Sequence, residues 1–174
     1  MTSEFFANRY FSLTIYWRDQ LIRLTELGPG RQTQFQGHGE TSYSARVAEA
    51  MNFYQTGKKV VWIDPPLDWM LITSSFQKQV LQTLMKNILF GRTTSYGRLA
   101  GLSGSPGAAR AVGRAMSRNP WPLIVPCHRV LTGKGSIGGF SSGTDMKQML
   151  LHLEGRNHQE FALKTVANVL TMIN

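Results

Sequence analysis

The chain has 174 residues, a single cysteine and a formal net charge of +9, with 42% hydrophobic residues. That length holds one generous domain or two small ones, and that apolar content is ordinary for a folded chain. One cysteine excludes an internal disulfide and any cysteine-cluster zinc site, and an unpaired thiol fits a reducing compartment. No apolar run approaches the ~18 residues of a membrane span, and Met1-Thr2-Ser3-Glu4 lacks the basic-then-apolar pattern of a secretion signal. A cytoplasmic location away from membranes is therefore expected. The charge is unevenly placed: residues 1–69 carry 7 basic and 7 acidic side chains, whereas residues 70–157 carry 11 basic and 2 acidic ones. The whole surplus lies in the second half, which points to a polyanion, with nucleic acid the first candidate.

In chain order, residues 9–27 read as a β-hairpin. Arg9 to Trp17 is rich in β-branched and aromatic residues, Arg18-Asp19-Gln20 is a polar break, and Leu21 to Leu27 returns. Residues 31–43 are polar and glycine-containing, hence a loop, and His38 within it reads as a surface residue. Val47, Met51 and Tyr54 recur at helical spacing over Ser44 to Gln55, with Gly57 as the stop. Val60-Val61-Trp62-Ile63 suggests a third short strand. Asp64-Pro65-Pro66 then marks a boundary between a small mixed α/β domain, residues 1–69, and a helical one, residues 70–157.

The second half opens with a cap at Ser74 or Ser75 and an apolar face of Phe76, Val80, Leu81 and Leu84, closed by Gly91. Thr93 to Tyr96 caps a short helix through Leu102. Ser103-Gly104-Ser105-Pro106 is a turn, and Pro106 is placed to open the next helix, Gly107 to about Arg118. On that helix Val112 and Met116 mark a core face, while Arg110, Arg114 and Arg118 stand four apart on a second. The remaining positions are mostly Ala or Gly, so the helix is thin enough for a groove only ~6 Å wide. Two short helices with an arginine stripe on the second suit a helix-turn-helix. Alanine is also simply the best helix former, so the pattern alone does not decide.

Asn119 to Val130 is the densest stretch: Asn-Pro-Trp-Pro-Leu-Ile-Val-Pro-Cys-His-Arg-Val. Its prolines favour a rigid, extended segment. Cys127 beside His128 and Arg129 is a plausible nucleophile, although a lone cysteine is often only a small buried hydrophobe. Leu131 to Gly143 holds five glycines and reads as a tightly turning loop, with Gly138-Gly139-Phe140-Ser141-Ser142-Gly143 suited to lie against a ligand. Asp145 to Leu153 is an amphipathic helix ending at Glu154-Gly155. A further helix is expected over 160–173, within a C-terminal extension, residues 158–174.

Pro126-Cys127-His128-Arg129-Val130, with Asn119-Pro120 upstream and Glu154-Gly155 downstream, resembles the active-site signature of the O6-alkylguanine-DNA alkyltransferases, also called methylated-DNA–protein-cysteine methyltransferases. The similarity runs from about Ser75 to Gly155 and includes Ser95-Tyr96, the Ala-Ala-Arg-Ala-Val-Gly stretch at 108–113, and Gly138 to Ser142. It implies an α+β chain: a small RNase H-like N-terminal domain, then a mostly helical domain with a winged helix-turn-helix. It also implies irreversible, single-turnover transfer of an alkyl group from O6 of guanine, and from O4 of thymine, to Cys127 after base flipping, with no cofactor. Glu154 would orient His128, and His128 would deprotonate Cys127 through a water. Arg110 would fill the vacated stack, and Tyr96 would press on the phosphate and donate to the purine. Val130 and Ser141 would contact the flipped base through their backbones, and Asn119 would brace the helical segments. Gln77, Ser105, Arg114 and Gly133 are further DNA-contact candidates. Phe140 stands where many members have tyrosine, so it can stack but not donate. Relatives with zinc hold it through N-terminal cysteines, which this chain lacks, so no metal is expected. The partner would be double-stranded DNA containing O6-alkylguanine, bound by a monomer. The alternative, a lesion-binding damage sensor of the same fold, replaces the cysteine that is present here.

Overall fold

The computed structural model describes residues 1–31 and 41–155. His38 and the helix expected over 160–173 lie outside the described residues.

The N-terminal portion is a three-stranded antiparallel sheet in the order β1-β2-β3, made of β1 (Thr2–Ala7), β2 (Phe11–Arg18) and β3 (Leu21–Pro29). The β2–β3 hairpin turns on Asp19 and Gln20, both at positive φ (52° and 61°). Those angles match the right-handed twist of the strands it joins, and short polar residues tolerate them best. Phe11, Leu13, Ile15 and Trp17 point alternately into the core. They pack against α1 (Ser44–Thr56), whose Val47, Met51 and Tyr54 are buried and whose end is set by Gly57 at φ 69°.

The third strand is β1, not Val60 to Ile63. That stretch forms no strand, and only Val60 of it is buried. A strand needs a partner, and the free edge of β3 is taken. Ile22 N donates to Pro66 O at 2.7 Å, and Thr25 N donates to Pro120 O at 2.9 Å, so the free edge of β3 is covered by two non-strand segments.

The second half holds α2 (Ser75–Asn87), β4 (Thr94–Ser95), α3 (Tyr96–Leu102), α4 (Ala109–Ser117), β5 (Val130–Leu131) and α5 (Thr144–Leu153). Ser74 and Ser95 cap α2 and α3 by accepting from Gln77 N and Arg98 N. Pro106 does not open α4. It sits in a turn with Gly107 at φ 86°, and the helix starts at Ala109 after that reversal. Buried residues of both halves form one contiguous apolar cluster, crossed by Trp121, whose Nε1 donates to Ile22 O at 2.9 Å. No helix among the described residues is long and apolar enough to cross a membrane.

Candidate active site

The site is built where the chain leaves α4 and doubles back against β3. Thr25 Oγ1 donates to Pro122 O at 2.8 Å, which docks this segment on the sheet. Val125 N donates to Trp121 O at 2.8 Å, closing a tight buried turn with Leu123 at φ 76°. A leucine in that region costs on the order of 1–3 kcal/mol and persists only where the surroundings impose it. Here the surroundings are the fully buried Trp121 and Val125. Asn119 braces the turn: its Oδ1 accepts from Trp121 N at 3.0 Å and its Nδ2 donates to Val125 O at 2.9 Å. The same Nδ2 donates to Cys127 Sγ at 3.1 Å.

Cys127 to Arg129 form a single 3-10 turn rather than the extended segment expected from the prolines. Successive side chains in such a turn diverge by about a third of a circle. The thiol and the imidazole therefore face different ways. His128 is fully buried and its Nε2 lies 3.0 Å from Glu154 Oε1. Glu154 is buried, not a surface acid, and its pKa is held down at about 2 by His128 and Arg129 despite the opposing cost of burial. An ionised carboxylate only accepts, so Nε2 carries the ring proton and Nδ1 the lone pair. Nδ1 is buried with no hydrogen-bond partner.

Glu154 is held from three further sides. Arg129 donates from Nε to Oε2 (2.9 Å) and from Nη2 to Oε1 (2.9 Å), Gly91 N donates to Oε2 (3.2 Å), and Tyr54 O–H donates to Oε1 (3.0 Å). Arg129 also donates from Nη1 to Ile88 O at 2.8 Å. Burial pushes the Cys127 thiol pKa up, against the Asn119 hydrogen bond and the Lys147 charge. Burial pushes the His128 pKa down, against Glu154. A neutral thiol thus stands beside a neutral, proton-accepting imidazole.

The loop after β5 closes over this centre. β4 and β5 pair in parallel, setting Ser95 beside Leu131 and starting α3 at Tyr96. Tyr96 is half-buried, and the Cys127 charge contributes to raising its pKa after burial itself. Gly138, at φ 66°, lies against the Tyr96 ring, where a Cβ would meet the hydroxyl at 3.6 Å. Phe140 stands edge-on to His128 with ring centroids 6.5 Å apart. Val130 is fully buried, whereas Ser141 is exposed. Lys147 on α5 is fully buried and donates from Nζ to Val130 O at 2.7 Å.

The remaining candidates lie outside this cluster. Arg110, Arg114 and Arg118 are exposed along α4, opposite the buried Val112, Ala115 and Met116. Gln77 is engaged internally, donating from Nε2 to Arg118 O at 3.0 Å. Ser105 sits in the turn between α3 and α4, and Gly133 is exposed in the turn that Thr132 and Ser136 close.

Residues 75–156 match the family model described as the DNA binding domain of 6-O-methylguanine DNA methyltransferase. The human protein named methylated-DNA–protein-cysteine methyltransferase is 51% identical over 81 residues, which is 47% of this chain and 39% of the human one. Its namesake from Mycolicibacterium paratuberculosis is 43% identical over 113 residues, 65% of this chain and 66% of that protein. The chain therefore spans about two-fifths to two-thirds of the length of these curated relatives. The crystal structure of Mycobacterium tuberculosis OGT in complex with DNA superposes with a TM-score of 0.69 at 30% identity, covering 88% of this chain and 92% of that one. The chain belongs to the 6-O-methylguanine DNA methyltransferase family.

Within this member of the family, three buried groups at the site carried no role in the sequence reading. Arg129 was visible only as a neighbour of the cysteine. Tyr54 read as one more apolar position of a helix face. Lys147 lies in the amphipathic helix without being singled out by the apolar pattern. Each reaches the site through a partner distant in sequence, 25 residues for Arg129 and 100 for Tyr54.

Proposed function

We propose that the chain repairs O6-alkylguanine, and O4-alkylthymine, in double-stranded DNA by moving the alkyl group irreversibly onto Cys127. The carrying observation is the arrangement at the turn: Sγ held by Asn119, and an imidazole whose Nε2 is pinned on ionised Glu154 while Nδ1 stays free to accept. His128 Nδ1 takes the thiol proton through one water, because the two side chains diverge in the turn. The thiolate attacks the alkyl carbon, the S–C bond forms as the C–O6 bond breaks, and the purine leaves with its charge on O6 and the ring. A thioether has no leaving group to release, so each molecule acts once.

Chemistry on a paired base requires its extrusion, at a cost of about a few kcal/mol. Arg110 would fill the gap from the exposed face of α4, with Arg114 and Gly133 on the flanking backbone. Tyr96 would hold the phosphate and donate to the purine, Phe140 would stack on it, and the Val130 and Ser141 backbones would read its edge. Gln77 would act by holding the end of α4, and Ser105 by shaping the turn before it. We read residues 1–69 as the RNase H-like domain, 70–157 as the winged helix-turn-helix catalytic domain and 158–174 as an extension, in a monomeric cytoplasmic protein. The basic surplus of 70–157 supports this placement of DNA.

The test is incubation with a duplex containing one O6-methylguanine, followed by intact mass and peptide mapping. One added methyl on the peptide holding Cys127, in stoichiometric amount, is expected. Turnover without modification, or modification elsewhere, would overturn the reading.

A further inference from the structure

Glu154 sits at the meeting point of both halves of the chain, and its Oε1 accepts from three side chains. His128 and Arg129 come from the turn that carries the thiol. The third, Tyr54, comes from α1 in the N-terminal portion. Its ring is fully buried and fixed from two sides. Phe11 of β2 meets it edge-on at 5.5 Å, and Phe90, in the turn after α2, meets it at 5.5 Å with a 57° tilt. Phe90 in turn lies 5.8 Å under the Arg129 guanidinium. The hydroxyl thus has little freedom, and the carboxylate it meets is the one that fixes the imidazole.

A neutral donor on Oε1 has a definite effect. It takes up part of the carboxylate charge that would otherwise act on His128 Nε2–H. It therefore disfavours the imidazolium and keeps the ring a neutral acceptor. Arg129 acts in the same sense from the turn, and Lys147 from α5 adds positive charge.

Resting on the alkyl-transfer reading, we propose that Tyr54 is a positioning residue for the reaction: its hydroxyl holds Glu154 Oε1 and, through it, sets the orientation and basicity of His128, so the N-terminal portion is part of the proton relay. Tyr54 touches neither the thiol nor a substrate. Its contribution is the tautomer and the pKa of a ring two contacts away.

The experiment is an NMR titration of His128 in the full chain, before any exposure to alkylated DNA, with the pH profile of alkyl transfer alongside. Tyr54→Phe keeps the ring and removes the donor. The His128 pKa is expected to rise by about 0.5–1 unit, since losing the donor returns charge to the carboxylate that faces Nε2–H and only part of that change reaches the imidazole. The acid limb of the transfer profile should move up with it. A 3-fluorotyrosine installed at 54 is a stronger donor of nearly the same shape, so it should move both the other way. In the Glu154→Gln background, the Tyr54→Phe shift of His128 should vanish. A folded Tyr54→Phe with an unmoved His128 pKa would overturn the proposal, even if its transfer rate fell. Should that variant fail to fold, an unmoved pKa in the fluorotyrosine protein overturns it equally. The titration needs no chemistry at Cys127, so its outcome is separate from that of the mass assay.

Discussion

Lys147→Met should separate stability from activity. Nζ is sealed in the interior with two backbone carbonyls, Val130 O at 2.7 Å and Gly139 O at 3.5 Å, and no ion pair among the described residues engages it. Burial lowers its pKa from 10.5 to about 8. The sign follows from proton counts. Between about pH 8 and 10.5 the unfolded chain holds a proton on this lysine that the folded chain has released, so stability rises with pH across that window. With those two values, the residue contributes a gain of about 1.3 kcal/mol between pH 7 and pH 9. For a chain of this size that is about 3–5 °C in Tm. Methionine fills the same volume without a charge, so the variant should lack this gain while its Tm at pH 7 stays close to that of the parent. Lifting the cost of a buried ammonium offsets the loss of its hydrogen bonds. Alkyl transfer should nevertheless slow, because the Lys147 charge is one of the influences lowering the Cys127 pKa. Each unit by which the thiol pKa rises should slow transfer at fixed pH up to about tenfold, less whatever the nucleophile gains in reactivity. The checks are thermal melts at pH 7 and 9 and transfer rates on a methylated duplex. Parallel rises of Tm in the two proteins would refute the reasoning.

Cys127→Ala should abolish alkyl transfer and leave duplex binding within about twofold by fluorescence anisotropy, because the buried thiol's contacts, the Asn119 hydrogen bond among them, lie within the protein and not on the exposed arginine face of α4. Binding that collapses with it would make the cysteine structural. Arg110→Ala should slow repair of a paired lesion far more than reaction with the free alkylated base, since only the first needs a filler for the stack. Equal losses would contradict that role. Acid should destabilise the parent through Glu154: its depressed native pKa of about 2 gives stability present above about pH 4.5 and lost as pH falls through about 2, worth about 3 kcal/mol over that span. Denaturant melts should show a flatter acid limb for Glu154→Gln.

What could be read from the sequence was local, and what could not was long-range. Ser74, Ser95 and Gly57 fixed helix ends because caps act on backbone groups within one turn. The alternation of Phe11 to Trp17 set the hairpin for the same reason. Val60 to Ile63 failed because β-branched residues make a strand only beside a free edge, and Pro66 and Pro120 occupy that edge. β1 was missed because Glu4 interrupts its apolar pattern, yet the carboxylate is buried against Trp17 Nε1 and Ser44 Oγ. At the site, the cysteine and imidazole were legible from residue type and adjacency, and the acid only through the family resemblance. Tyr54 and Lys147 were not, since nothing near them in sequence distinguishes a core hydroxyl or ammonium with a partner from a polar group at the surface.

On the proposed alkyl-transfer reading, the two opposed shifts at the turn suit a protein that would spend its nucleophile once. Burial raises the thiol pKa and lowers the imidazole pKa, so the ion pair of thiolate and imidazolium is disfavoured at rest. A permanently ionised cysteine would react with any soft electrophile, and for an irreversible acceptor each such event is the loss of the molecule. Asn119, Lys147 and Glu154 each favour one partner of the ion pair without making it the resting state. Asn119 Nδ2 and the Lys147 charge act on sulfur, and Glu154 acts on the imidazolium. The barrier is then met when an alkyl carbon lies against Sγ and the new bond takes up the charge as it forms. The Arg129 and Tyr54 contacts to Glu154 restrain that acid from drawing the proton to His128 too early. Reactivity is thereby tied to substrate presence by the same burial that makes the cysteine look, from composition alone, like an inert core residue.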